Sequence, residues 1–285
     1  MTKVTSHLLL CLEKILAFFS TYSLLPGLVF VFTVYFSTIL YKVEVSPIIL
    51  LLSFLTMFGI YSLNKVTDFA EDTINKPNRN TKSRLFLIIS AFTGYFSVFI
   101  ISITYGIQMF LVCLVPLTIG FVYSVKVSKS LHRLKEILYV KNLVVAFSLA
   151  FPGALLPALT NTVAIEKIVM VFLYIFIQFF INTVLFDIID MPGDKAAGIK
   201  TIPLQIGKKK TTYLLLLINS LLLPWLIICR ISGMFIKYLP VTAFGMLYSY
   251  GIIWYFTSKE NKRFQAEMLI DGAWLPIIIL LLLIQ

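Results

Sequence analysis

The stretch Ile168-Val-Met-Val-Phe-Leu-Tyr-Ile-Phe-Ile-Gln-Phe-Phe-Ile-Asn-Thr-Val-Leu-Phe-Asp187-Ile-Ile-Asp190-Met-Pro-Gly-Asp194 carries no charge for nineteen residues and then three aspartates in eight. A continuous apolar run of this length fits a helix crossing a hydrocarbon core of about 30 Å, and it lacks the dyad alternation of a β-barrel strand. The rest of the chain has the same character. Of its 285 residues, 59% are hydrophobic and only 13% charged. That excludes an ordinary soluble domain, which carries roughly 25% charged residues, and it excludes disorder. Mean hydropathy is +0.95.

Nine stretches are long enough to span: 23–41, 47–63, 85–103, 107–125, 139–158, 168–187, 212–229, 237–256 and 269–285. Residues 8–20 are apolar but interrupted by Glu13-Lys14, so 1–22 reads as an N-terminal segment lying in the membrane interface. No small-residue cleavage site follows it, and a removed signal peptide is not expected. The whole chain, 1–285, reads as one transmembrane domain. Cys11, Cys113 and Cys229 lie in apolar segments without ligand spacing, and His7 and His132 form no pair.

The basic residues orient the spans. Twenty of the 24 fall on one side: at Lys3 and Lys14, and in the loops around Lys65–Arg84, Lys126–Lys141, Lys195–Lys210 and Lys259–Arg263. Only Lys42, Lys167, Arg230 and Lys237 fall on the other. The positive-inside rule therefore places the N-terminus and these loops in the cytoplasm and Gln285 outside. The formal charge of +11 is then topology and contact with anionic membrane lipids, and calls for no nucleic acid.

Six of the 13 acidic residues gather in two clusters at cytoplasmic span ends. One is Asn64-Lys-Val-Thr-Asp68-Phe-Ala-Glu-Asp72, ending the second span; the other is Asp187-Ile-Ile-Asp190-Met-Pro-Gly-Asp194, ending the sixth. Asn64, Asp68 and Asp72 share a helix face, and so do Asp187, Asp190 and Asp194 if the helix persists; Pro192-Gly193 marks the expected point of unwinding. Asp68 and Asp190 are 122 residues apart, as are Asp72 and Asp194, which points to two four-helix pseudo-repeats with a ninth helix appended. A single acid pair at a helix end is ordinarily a solvated cap. Two such sets at corresponding positions, each opening a basic loop, read as a site.

Aspartates four apart repel unless a cation lies between them, and oxygen ligands favour Mg²⁺, which completes its shell with water and substrate phosphates. Five aspartates and a diphosphate of about −3 exceed the charge of two Mg²⁺, so further cations are needed. The same loops offer Arg79, Lys82, Lys135, Lys141 and Lys200. Cations beside a divalent site imply a polyanionic ligand. The 15% aromatic content and span mouths open to lipid suit a long isoprenoid tail attached to it.

These residues carry a family resemblance. Asn64-x-x-x-Asp68-x-x-x-Asp72, running into Ile74-Asn-Lys-Pro-Asn-Arg79, resembles the first signature of the UbiA-type intramembrane prenyltransferases. Asp190-x-x-Gly-Asp194-Lys-Ala-Ala-Gly-Ile-Lys200-Thr-Ile-Pro203 resembles the second, and Tyr123-Ser124, Arg133-Leu-Lys135 and Lys141-Asn142 resemble the central cytoplasmic loop. The likeness covers essentially the whole chain. It implies an all-α polytopic membrane protein with nine transmembrane helices in a ring. It also implies Mg²⁺-dependent transfer of a polyprenyl group from a polyprenyl diphosphate to an aromatic or lipid acceptor, with diphosphate released. By that resemblance Asp68 and Asp72, assisted by Asn64, hold one Mg²⁺, and Asp190 and Asp194 hold a second. Arg79, Lys135, Lys141 and Lys200 bind the phosphates, and Asp187 is a metal ligand, an acceptor base or a carboxylate that orients a ligand. Lys65 stands where the family often has aspartate, and Ser23-Leu-Leu-Pro26 replaces an Arg-Pro-like entry, which weighs against a carboxylated aromatic acceptor. Two rival readings use the same aspartates: cyclisation of the prenyl chain on itself without an acceptor, and transport of a lipid diphosphate. Midplane acids would favour transport, and the span centres are almost free of ionisable groups.

Overall fold

The computed structural model describes residues 13–68, 83–126, 133–196, 198–258 and 263–284. Among these every regular element is helical. The helices are α1 (13–21), α2 (Leu24–Tyr41), α3 (Pro47–Thr67), α4 (Ser83–Thr104), α5 (Ile107–Ser124), α6 (Val140–Leu155), α7 (Ile165–Ile189), α8 (Met191–Ala196), α9 (Ile202–Ile206), α10 (Lys208–Ser220), α11 (Leu222–Ile231), α12 (Leu239–Ser258), α13 (Arg263–Leu269) and α14 (Trp274–Ile284).

Eight segments among the described residues are long and apolar enough to cross a membrane, with α10–α11 and α13–α14 each counted as one. The ninth expected span is α12, an uncharged helix of 20 residues in which tyrosines, serines and threonines interrupt the apolar run. Inside lipid every backbone group needs a partner within the protein, which a helix supplies. Buried hydroxyls follow the same logic: Thr33, Thr38, Ser53 and Thr56 each donate to a carbonyl one turn earlier on their own helix.

The spans form a closed ring. Each packs on the next in sequence, and α14 returns to pack on α2. The expected pseudo-repeat is visible in the cross-contacts, for α3 packs on α5 in the first half as α7 packs on α12 in the second. Close packing is set by small residues where helices touch. A β-carbon on Gly94 would stand 2.6 Å from the α-carbon of Gly59, so α3 and α4 meet backbone to backbone. Deep in the ring, Tyr174 stacks on Phe36 and packs on Trp225, and Trp274 packs on Phe36 and Phe179. Tyr174 lies thirteen residues before Asp187 on α7, about 20 Å along the helix axis. This aromatic layer lies beneath the polar end of the ring. The Trp225 indole donates to the Met170 carbonyl at 2.7 Å and the Tyr174 phenol to that of Thr242 at 3.2 Å, tying α7 to α11 and α12.

The second acidic cluster differs from expectation in one respect. The helix does not unwind at Pro192-Gly193; it ends two residues before Pro192, with Asp190 as its C-cap, and restarts as α8. Proline is tolerated in a first helical turn because its missing N–H has no partner to lose there. Asp194 N still donates to Asp190 O at 2.9 Å, so the two aspartates stay one turn apart across the bend.

Candidate active site

The last turn of α3 presents Asn64 and Asp68, and the end of α7 with α8 presents Asp187, Asp190 and Asp194. All five line one cavity of about 260 Å³ at the polar end of the ring. The two acidic clusters, one from each half of the fold, are thus brought together. Asp72 and Arg79 lie outside the described residues.

Lys135 and Lys141 close the cavity between the clusters. Lys135 follows Arg133 in a 3-10 turn, Leu134–Glu136, held by Arg133 Nε on Glu136 Oε1 at 2.6 Å. Its ammonium is buried, with 4% of the side chain exposed, and donates to Asp68 Oδ1; Arg133 Nη1 stands 3.7 Å from the same oxygen. On α6, Lys141 Nζ lies 2.7 Å from Asp187 Oδ1 and 3.7 Å from Asp194 Oδ2. Asn142 Nδ2 donates to the other oxygen, Asp187 Oδ2, at 2.8 Å. Asp187 is therefore engaged on both oxygens and faces Lys141 more closely than does Asp194. Its carboxylate thus bridges Lys141 and Asn142. Lys141 and Asn142 follow Tyr139, a non-glycine residue at φ 65°. Such a backbone costs on the order of 1–3 kcal/mol and persists only where its surroundings enforce it.

Lys200 is not brought in. The chain turns at Gly198, φ 70°, and leaves Lys200 exposed and outside the cavity lining. Among the described residues no three His, Cys, Asp or Glu side chains converge into a compact metal cluster. The donor set nevertheless suits a hard divalent cation. Asp68 with the Asn64 amide, and Asp190 with Asp194, are oxygen donors split into two sets, and Mg²⁺ needs only one or two carboxylates from a protein. Asn64 Oδ1 accepts from Ser124 Oγ at 3.3 Å, which holds the amide oxygen toward α5.

Six polar residues of the lining lie outside the motifs read from the sequence: Ser20, Tyr61, Ser148, Thr183, Glu267 and Asp271; Tyr123, from the central-loop stretch, lines it too. Lys65 joins them, donating its ammonium to the Ser20 carbonyl. Tyr123 lies within electrostatic reach of Asp68, Lys141, Asp187 and Asp194, and Tyr61 of Tyr123 and Asp271. Glu267 and Asp271 were legible in one respect: they are a third acid pair spaced by four, beside the basic stretch Lys259–Arg263. Toward the membrane the lining turns apolar, through Met57, Ile60, Ile119, Val145, Leu149 and Phe186. A ligand filling this space has a charged head and a hydrocarbon body.

Comparison with known proteins bears on this geometry. Residues 22–271 match the model of the UbiA prenyltransferase family. The chain is 30% identical over 220 residues to digeranylgeranylglyceryl phosphate synthase of Methanobrevibacter smithii, covering 73% of this chain and 76% of that one. It is 28% identical over 183 residues to the enzyme of that name from Thermococcus kodakarensis, and the match spans 60% of each chain. With the Pyrococcus horikoshii protein of the same name, identity is 31% and the match spans 58% of the relative's length. Among solved structures, a UbiA homologue from Archaeoglobus fulgidus bound to GPP and Mg²⁺ superposes with a TM-score of 0.69 at 14% identity, covering 93% of this chain and 99% of that one. A UbiA homologue from Aeropyrum pernix gives 0.67 at 15% identity, over 89% and 97%. At these identities the structures establish a common fold.

Proposed function

The chain belongs to the UbiA prenyltransferase family, and from that premise we propose that it transfers a polyprenyl group from a polyprenyl diphosphate to a lipid or aromatic acceptor within the membrane. The observation that carries the reading is the meeting of two aspartate sets with Lys135 and Lys141 in one cavity whose far lining is apolar. That combination suits an amphiphile with a polyanionic head. Asp68, with Asn64 beside it, and Asp190 with Asp194 are the residues to hold Mg²⁺, and Asp72 belongs with the first set by spacing. Bound Mg²⁺ supplies the positive charge that makes diphosphate a competent leaving group.

The chain's own groups do the remaining work. Lys135 and Lys141 offer cations at the point where negative charge grows on the departing diphosphate, which is where fixed charge accelerates a reaction most. Asp187 and Asn142 hold Lys141 in that position. Phe186 and Tyr123, both in the lining, are the aromatic rings available to an allylic cation there. The curated relatives bear the name of an enzyme acting on a glycerol-phosphate lipid, which favours a lipid acceptor over a carboxylated aromatic one. The distribution of basic residues supports a cytoplasmic N-terminus and cytoplasmic active-site loops, and residues 1–285 acting as one transmembrane domain, with 1–22 along the interface.

The test is direct. Purified protein with Mg²⁺, geranylgeranyl diphosphate and a panel of glycerol-lipid and aromatic acceptors should release diphosphate in step with a prenylated product. Product formed from the donor alone as a cyclic hydrocarbon or alcohol would replace transfer with cyclisation.

A further inference from the structure

Part of the cavity lining has no task in handling the donor. Glu267, on α13, is buried to 8% exposure, and its Oε1 accepts a hydrogen bond from the Ser20 hydroxyl at 2.9 Å. The Ser20 carbonyl in turn accepts from the Lys65 ammonium, so Ser20 bridges a carboxylate and a cation. All three face the same cavity as Asp190 and Asp194 but come from α1, α3 and α13. The end of α13 is held by two neighbouring helices: Asn182 of α7 donates to the Ile270 carbonyl at 3.4 Å and Tyr248 of α12 to the Leu269 carbonyl at 2.8 Å.

A buried carboxylate held to a cavity wall is expensive unless charge and hydrogen bonds compensate it. Here the Ser20 hydroxyl supplies a hydrogen bond, the Lys65 ammonium is bound to the carbonyl of the same serine, and the carboxylate still lines the cavity. Ser20 also shows what docks on it, namely a hydroxyl at normal hydrogen-bond distance. A carboxylate has about four lone-pair sites, so a second hydroxyl can approach in the same way.

Resting on the prenyl-transfer reading with a lipid acceptor that carries a hydroxyl, we infer that Glu267 is the proton acceptor for that hydroxyl. The allylic C1–O bond of the donor breaks and its electron pair leaves with the diphosphate. A lone pair of the acceptor oxygen forms the new C1–O bond, and the hydroxyl proton passes to the Glu267 carboxylate. Ser20 and Lys65 are positioning residues that hold Glu267 toward the cavity. The product is an ether.

The experiment compares two acceptors in the full-length protein with Mg²⁺ and geranylgeranyl diphosphate: a 1-O-alkyl glycerol phosphate with a free hydroxyl, and the same lipid with a thiol in that place. A thiol is partly ionised near pH 8.5 and needs little help from a base. In Glu267→Gln, transfer to the hydroxyl lipid should fall about 100-fold or more, the usual scale of a lost general base. Transfer to the thiol lipid should stay within about tenfold of wild type, a contrast that mere structural damage does not produce. Should Glu267→Gln not fold, Ser20→Ala carries the same contrast, with about a tenfold loss on the hydroxyl lipid alone. Equal losses on both acceptors, or wild-type transfer to the hydroxyl, overturn the inference. So does wild-type protein that prenylates only a ring carbon of an aromatic acceptor, although transfer itself then stands. Wild-type protein that releases no diphosphate with any acceptor removes the underlying reading as well.

Discussion

Replacing Lys141 with methionine isolates the cost of one buried charge. Lys141 and Asp187 lie 2.7 Å apart with 19% and 4% of their side chains exposed, so neither is well screened by solvent. Removing one partner of a buried ion pair costs about 3–5 kcal/mol, most of it the desolvation of the charge left behind. Asn142 still donates to Asp187 in the variant, which favours the lower end, about 3 kcal/mol. At roughly 2 °C per kcal/mol for a chain of this length, Lys141→Met should lower the midpoint of thermal unfolding in detergent by about 6 °C. The double variant Lys141→Met/Asp187→Asn removes the orphan charge and should recover most of that loss, to within about 1 kcal/mol of wild type, because a neutral replacement for a buried pair is often isoenergetic. Turnover should not recover, since the cation proposed to meet the diphosphate is still missing. A double variant as unstable as the single, or a single variant melting within a degree of wild type, would refute the assignment of Lys141 and Asp187 as a mutually dependent buried pair.

Asp68→Ala and Asp190→Ala should each cut diphosphate release at least 100-fold, and Asp68→Ala should also lower the thermal midpoint because it removes the carboxylate to which the buried Lys135 ammonium donates; normal turnover in both would remove the site. Gly94→Ala forces a β-carbon to within 2.6 Å of Gly59 and should destabilise by about 1–3 kcal/mol, whereas Gly251→Ala, facing open space, should not. A cysteine introduced near Lys208 in an otherwise cysteine-free protein should react with an impermeant maleimide only from the cytoplasmic face of oriented vesicles; reaction from outside would invert the proposed topology.

Much of this arrangement was legible in the residues. Apolar length alone gave the spans, because lipid imposes a helix of about 20 residues wherever the chain crosses. Asp68, Asp187, Asp190 and Asp194 stood out because acids are rare in such a chain, and Lys135 and Lys141 because a polyanion needs counter-charge. Lys200 satisfied the same charge argument and lies outside the cavity. Charge spacing cannot register the turn at Gly198 that carries Lys200 outward. The bend was read at Pro192 and occurs at Asp190, since proline in a first turn is compatible with a new helix. Ser20, Tyr61 and Glu267 went unread because their significance is tertiary. A serine near the start of the chain and a glutamate near its end become neighbours, 247 residues apart in sequence, only when the ring shuts.

That closure makes the chamber a property of the whole ring. The wall holding Glu267 and Asp271 is carried by α13 and the turn that follows it, and α14 continues from that turn to pack against α2. With α14 undocked, both aspartate ledges would face a chamber with one side missing. Enclosure is therefore gained when that last contact forms, as a whole rather than half by half.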